Sequence, residues 1–222
     1  MYRFIQESDY EFILSLDRQV YPSDHPITPE MISMWYKDLP QFGLIYEDKA
    51  GEIEGVFCII ALNKLGWENV LNGLDEDELT KEMLFDPSKD QEVGLHVYMI
   101  DRFTEEKGFY KKCYTDLGRV LQENFSHVRI LGVVGWAVSP TGINLGFNKL
   151  NRREYKYICD EHVLAKEGQL QILVDPSRAQ VEAQIKQGWT YQNRVKLLVA
   201  FPQDFSLIWQ MLGVDEEGRM IG

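Results

Sequence analysis

The chain has 222 residues, 45% of them hydrophobic and 26% charged, with a formal net charge of −12. That composition belongs to a globular fold with a sizeable core and excludes a disordered chain. The negative balance repels a phosphate backbone at long range, which excludes a general nucleic-acid surface, and it favours a cationic partner such as an amine.

The longest apolar runs, Val56–Leu62 and Ile130–Val138, are too short to cross a bilayer. The Tyr-Arg-Phe-Ile start lacks the charged, apolar and cleavage regions of a secretory signal. The expectation is a cytoplasmic protein without a membrane partner. Cys58, Cys113 and Cys159 lie far apart and do not make a disulfide framework. Cys159-x-x-His162 has no second ligand pair beside it, so no metal is expected.

In chain order, Tyr2–Gln6 reads as a short strand. Ser8-Asp9-Tyr10-Glu11 has the spacing of a capping box, and Ile13, Leu16 and Val20 follow at helical spacing up to Pro22. Thr28-Pro29 opens a second helix with Ile32, Trp35, Tyr36 and Leu39 on its apolar face, and Pro40 stops it. Gly43–Glu47 and Ile53–Leu62 pair as a hairpin through Asp48-Lys49-Ala50-Gly51. The acidic segment Leu74–Phe85 predicts an inserted amphipathic helix. Val93–Ile100 predicts a strand with Val93, Leu95, Val97 and Met99 on one side and His96, Tyr98 and Ile100 on the other.

A charged loop with Gly108 then leads into a helix whose stripe is Phe109, Cys113, Leu117, Val120 and Leu121. Val128–Val134 is a near-continuous apolar run, the pattern of a strand buried on both faces. Ser139-Pro140 caps a further helix with Ile143, Phe147 and Leu150 inside. Strands are predicted over Tyr155–Leu164, Leu170–Val174 and Val195–Phe201, with helices over Arg178–Lys186 and Phe205–Leu212. The polar tail from Asp215 is expected to fray.

This order of elements, from Tyr2 to Leu164, resembles the GNAT N-acetyltransferase superfamily. Three stretches carry the resemblance: Gly55–Lys64, at the family's third strand; Ile100-Asp101-Arg102-Phe103-Thr104-Glu105-Glu106-Lys107-Gly108-Phe109-Tyr110, at its strand–loop–helix; and Val128–Val134 with Ser139-Pro140 and Leu145–Arg152, at its fifth strand and following helix. The resemblance implies an α/β fold with a mixed, mostly antiparallel central sheet flanked by helices. It implies a GNAT-like domain over residues 1–164 and a C-terminal extension over 165–222, packed on or continuing the same domain.

The resemblance also implies acetyl-CoA as co-substrate. Tyr98, Met99 and Ile100 would run along its pantetheine arm, and Lys107, Gly108, Phe109, Tyr110 and Lys111 would cradle its pyrophosphate at a helix N-terminus. Trp35 and Tyr36 fall where the family builds its acceptor wall.

His96 is the candidate general base, because an imidazole titrates near neutrality. Ser139 and Tyr114 are the candidate acids for the leaving thiolate. The expected acceptor is a small-molecule or peptide amine, and a homodimer is compatible with the sequence. At three family positions the chain differs, with Glu105 in place of a basic or amide residue, Tyr110 in place of a small one and Phe147 in place of a tyrosine. Two functions therefore stay open, an acetyl-CoA-dependent N-acetyltransferase and a catalytically degenerate GNAT-fold protein that binds acyl-CoA or a protein partner without turnover. No Walker loop, Rossmann glycine pattern or Gly-x-Ser-x-Gly elbow occurs.

Overall fold

The computed structural model describes residues 1–20, 26–104, 107–137, 153–156, 196–203 and 207–221. These form seven strands: β1 Tyr2–Phe4, β2 Gly43–Glu47, β3 Ile53–Leu62, β4 Glu92–Arg102, β5 Arg129–Ala137, β6 Arg153–Lys156 and β7 Lys196–Ala200. They make one sheet in the order β1-β2-β3-β4-β5-β7-β6. Every neighbouring pair is antiparallel except β4 with β5. The segment beyond residue 165 thus supplies a strand of the central sheet, β7, which lies between β5 and β6.

Helices α1 (Tyr10–Val20) and α2 (Pro29–Tyr36) cover one face, and α4 (Phe109–Phe125) covers the other. Strand alternation shows the division. Phe57 of β3 stacks edge-on with Tyr114 of α4 at 5.1 Å, whereas its neighbour Cys58 meets Tyr36 of α2. The predicted α4 stripe is buried throughout, from Phe109 to Leu121. Gly118 on α4 admits a last helix, α5 (Leu207–Leu212), because a Cβ there would stand 2.6 Å from the Leu212 carbonyl oxygen. The Thr28 cap of α2 is present, with its hydroxyl accepting from Met31 N–H at 3.4 Å.

Four expectations change. The α1 start is not boxed by Ser8 and Glu11. Residues Glu7–Asp9 make a 3₁₀ turn, and the Asp9 carboxylate accepts from Gln6 N–H at 2.8 Å. Asp9 is free for this role because Arg3 holds it bidentately at 2.7 and 2.9 Å while also reaching Glu47 at 2.6 Å.

Leu74–Phe85 is not a helix. Its carboxylates bond their own backbone, Asp75 to Glu76 N–H and Glu78 to Asp75 N–H, and such local bonds compete with helix formation. The outcome is two 3₁₀ turns, Glu76–Glu78 and Lys81–Met83, while the helix of this insertion, α3, lies earlier at Lys64–Leu71 behind an Asn63 cap.

The tail does not fray. Val214 pairs with Met220, and the Gly218 carbonyl accepts from Ile130 N–H at 2.7 Å. Finally, β4 does not alternate simply, as described below. The sequence-predicted helix after Ser139, the strand over Leu170–Val174, the helix over Arg178–Lys186 and most of Tyr155–Leu164 lie outside the described residues.

The insertion is pinned to the sheet by one side chain. Gly94 of β4 and Gly132 of β5 stand directly opposite each other, and the Trp67 indole of α3 lies across both. A Cβ at Gly94 would come within 2.4 Å of the ring, and one at Gly132 within 2.6 Å. Two strand glycines cost about 1–2 kcal/mol together. Burying an indole gains more, since roughly 200 Å² removed from water is worth at most about 5 kcal/mol. We expect Gly94→Val to destabilise the protein by about 3 kcal/mol or more through this clash, measured as the urea midpoint at constant m-value. Gly51→Ala, in an open turn at φ 88°, should cost less.

Candidate active site

β4 and β5 run in parallel register only from Glu92 opposite Arg129 to Val97 opposite Gly135. Beyond that point β5 continues against β7, and β4 continues against β3 alone. Along Tyr98–Arg102, β4 therefore has no strand partner on its β5 side among the described residues. A strand edge without a neighbouring strand can pair with an extended group bearing amides.

The parting coincides with a bulge. Met99 pairs with Cys58 and Val97 with Ile59, so Tyr98 is the extra residue. The bulge corrects the predicted faces. Ile100 pairs with Phe57 and so faces α4, while Met99 pairs with Cys58 and shares the α2 face with Tyr98 and His96. Simple alternation had put Ile100 with His96 and Met99 opposite them.

On the α1–α2 face, His96 is fully buried and its Nε2 lies 2.7 Å from Glu76 Oε1. The Tyr98 hydroxyl donates to Asp17 Oδ1 on α1 at 2.8 Å. The Trp35 ring stands edge-on to Tyr98 at 5.1 Å, and its buried Nε1 has no hydrogen-bond partner among the described residues. Tyr36 stands edge-on to Trp35 and is buried. Thus the structure brings His96, Tyr98, Trp35 and Tyr36 into one neighbourhood. It adds three carboxylates that the sequence reading did not assign to a site: Asp17, Asp75 and Glu76. Their signal was faint, because Asp17 reads as one polar residue of an amphipathic helix and Asp75-Glu76 as part of a solvated acidic run.

Burial works against charge on each of these acids, and a hydrogen bond to each works for it. Burial pushes the Asp75 carboxyl up to about 7, and the hydrogen-bonded Glu76 beside it adds to the rise. Burial raises Glu76 too, against the hydrogen bond from Asp75. It likewise raises Asp17, against the hydrogen bond from Tyr98. The Tyr98 phenol is pushed far above its ordinary range by burial and by the Asp17 charge. At neutral pH the phenol is therefore a donor.

The second half of the site follows β4. Gly108 caps α4 in the left-handed conformation at φ 83°, and its carbonyl accepts the first helical bond, from Lys112 N–H at 3.0 Å. Only glycine takes that conformation without strain. Lys107 and Lys111 are exposed beside it. Lys112 turns instead toward the Tyr46 ring, 5.1 Å from its centroid. Phe109 is buried against Gly55 and Tyr46, so its side chain serves the core and leaves only its backbone at the helix start. Tyr110 is half-buried, and burial raises its phenol. Tyr114 is buried against Phe57 on the α4 face, away from His96. Ser139, Glu105, Glu106, Phe147, Cys159 and His162 lie outside the described residues. Among the described residues no group of His, Cys, Asp or Glu has the arrangement of a metal site, and no helix is long and apolar enough to cross a membrane.

A seven-stranded mixed sheet whose one parallel pair parts midway, with a helix starting just past the parted strand, is the GNAT fold. Solved structures are similar to the chain at low identity. The GNAT-like decarboxylase GphF, in complex with isobutyryl-CoA, is 12% identical with a TM-score of 0.50, over 90% of this chain and 98% of that one. NAA60 of Arabidopsis thaliana, in complex with acetyl-CoA, is 12% identical with a TM-score of 0.49, over 92% and 99%. The loading GNATL domain of CurA from Lyngbya majuscula is 14% identical with a TM-score of 0.48, over 90% and 96%. No protein-family model and no curated protein matches the sequence significantly.

The raised carboxyl of Asp75 fixes the sign of a pH effect. Its protonated form is favoured by folding, so its contribution is complete below the unfolded value near 3.8 and is lost as pH rises through about 7. Asp75→Asn should therefore gain stability relative to the unsubstituted protein between pH 5 and pH 8. Urea midpoints at the two pH values check this, and an equal difference at both would contradict it.

Proposed function

We propose that this protein is an acetyl-CoA-dependent N-acetyltransferase acting on a small-molecule or peptide amine. The fold alone does not assign that reaction, because one fold hosts many chemistries. The observation that carries the reading is the juxtaposition at β4: a strand edge with no strand beside it among the described residues, the Gly108-capped start of α4 beyond it, and a buried histidine beside it.

Each part has a task. The edge of β4 over Tyr98–Asp101 pairs with the amide-bearing pantetheine arm. The first N–H groups of α4, with Lys107 and Lys111, meet the pyrophosphate, where the helix dipole and orphan donors favour negative charge. An N–H of the same strand edge stabilises the developing oxyanion. Trp35 and Tyr36 wall the acceptor side. His96 takes a proton from the substrate ammonium. The neutral nitrogen then attacks the thioester carbonyl carbon, the C–S bond breaks with its electron pair leaving on sulfur, and the second proton lost by the nitrogen passes through solvent to the departing thiolate. No role is assigned to Tyr114, which faces the other side of the sheet.

Two measurements test this. Acetyl-CoA at one hundred times its dissociation constant should stabilise the protein by about 2.7 kcal/mol, read as a thermal shift with calorimetric binding heat. Gly108→Val should weaken that binding at least about tenfold, since a β-branched residue is strained at positive φ. Absence of binding at millimolar acetyl-CoA would overturn the reading. In an amine screen, His96→Gln should lower kcat by about 10²–10⁴-fold while acetyl-CoA binding persists. Binding without turnover by the unsubstituted protein would instead favour a degenerate, non-catalytic GNAT fold.

A further inference from the structure

The geometry points to Glu76 as a positioning residue, held in place by Asp75, that fixes the tautomer of His96 and balances its charge when the imidazole takes the substrate proton. This rests on the reading of His96 as general base. It concerns a residue supplied by the insertion between β3 and β4 and not by the sheet.

The hydrogen bond is short and enclosed. Nε2 to Oε1 is 2.7 Å, His96 is wholly buried, and the Glu76 side chain is 13% exposed. A carboxylate accepts only, so a charged Glu76 requires the proton of neutral His96 to sit on Nε2. The lone pair is then on Nδ1, the nitrogen that receives the proton. On protonation the ring keeps its Nε2–H toward Glu76, and the carboxylate stabilises the imidazolium without taking a proton itself. The proton gained at Nδ1 returns to solvent before the next turnover.

The turn bearing Glu76 is built to hold it. Asp75 Oδ1 accepts from Glu76 N–H at 2.9 Å, and Glu78 Oε2 accepts from Asp75 N–H at 3.1 Å, which closes the turn on itself. Asp75 also hydrogen-bonds the Glu76 carboxyl through its side chain. The turn follows α3, which Trp67 locks to Gly94, two residues before His96 on β4. The other ionisable groups around the pair are Asp17 on α1, Asp75 and Asp77 on the turn, and Tyr98 on β4. The carboxylates of this set favour a protonated imidazole where they are ionised, the Tyr98 phenol is neutral, and Arg18, which acts on Asp17 from α1, is the opposing cation. A purely structural plug would not require this arrangement, because apolar side chains of like volume fill such a space at less cost.

The test is Glu76→Gln in the full chain, which keeps size and removes charge. Ring ¹⁵N spectra, with the His96 signal assigned through His96→Gln, should show a single Nε2–H tautomer in the unsubstituted protein. In the variant they should show a mixture, with the imidazole titration moved down by about one pH unit or more. The acid limb of kcat/KM should move down with it. The kcat should fall roughly 10- to 100-fold, within the range of acid–base contributions, while KM for acetyl-CoA stays constant. Glu76→Asp should recover part of the tautomer preference, and Asp75→Asn should shift the titration in the same direction by less. An unchanged imidazole titration in Glu76→Gln overturns the proposal, whatever happens to activity. So does a fall in activity with an unmoved pH profile, which marks a structural role. If no amine is turned over, the base reading fails separately, and the spectra alone still decide whether Glu76 governs the ring.

Discussion

Two parallel strands share a hydrogen-bonding ladder only while they run side by side, and β4 leaves β5 at Val97. The geometry of the candidate site depends on that parting. Before it, the two strands are the buried centre of the sheet. After it, β4 keeps its antiparallel partner β3 and has no strand on its other edge among the described residues, while β5 continues against β7. The bulge at Tyr98 falls at the same place, as expected where a strand must change its twist and redirect its side chains. The left-handed Gly108 and the start of α4 then come directly after the parted strand. One geometric event thus sets the strand edge, the orientation of Tyr98 and the approach to the helix N-terminus.

The electrostatics on the α1–α2 face follow from burial against hydrogen bonding. Asp9 is held well by Arg3 and the Gln6 N–H, and despite its burial it titrates below its ordinary value. Asp17, Asp75 and Glu76 have partners too, but those partners are a phenol, a carboxyl and an imidazole, not a guanidinium. Burial therefore wins, and their carboxyls rise. The contrast separates an acid that staples β1 to α1 from acids gathered around a histidine.

Much of the fold was legible because its signals are local. The Thr28-Pro29 start of α2, the Asp48–Gly51 turn and the apolar stripe of α4 each depend on residues a few positions apart. The candidate site could be picked out in part for the same reason: His96, Tyr98, Trp35 and Gly108 are distinctive residue types in clear elements. What escaped depended on distant contacts. The bulge at Tyr98 comes from registration with β3, so period-2 counting misplaced Ile100 and Met99. The partners Asp17 and Glu76 lie 81 and 20 residues from the side chains they bond. The acidic turn was read as a helix because its periodicity is helical, while the side chain-to-backbone bonds of Asp75 and Glu78 decide otherwise. The tail was expected to fray on composition, yet a single bond from Ile130 to Gly218 and the burial of Val214 tie it to β5.

The Trp67 indole lying across Gly94 and Gly132 has a consequence for how this sequence can vary. Enlarging either glycine alone collides with the ring, and shrinking the tryptophan alone leaves a void over two bare backbones. The three positions are therefore free to drift only as a set, with a smaller side chain on α3 accompanying larger ones on the strands. Because the acidic turn follows α3, such a compensated change would also re-aim Glu76 relative to His96. A substitution path open to the hydrophobic core is thereby tied to the geometry of the His96–Glu76 hydrogen bond, and divergence in the packing of this insertion can alter that contact without any change at either residue.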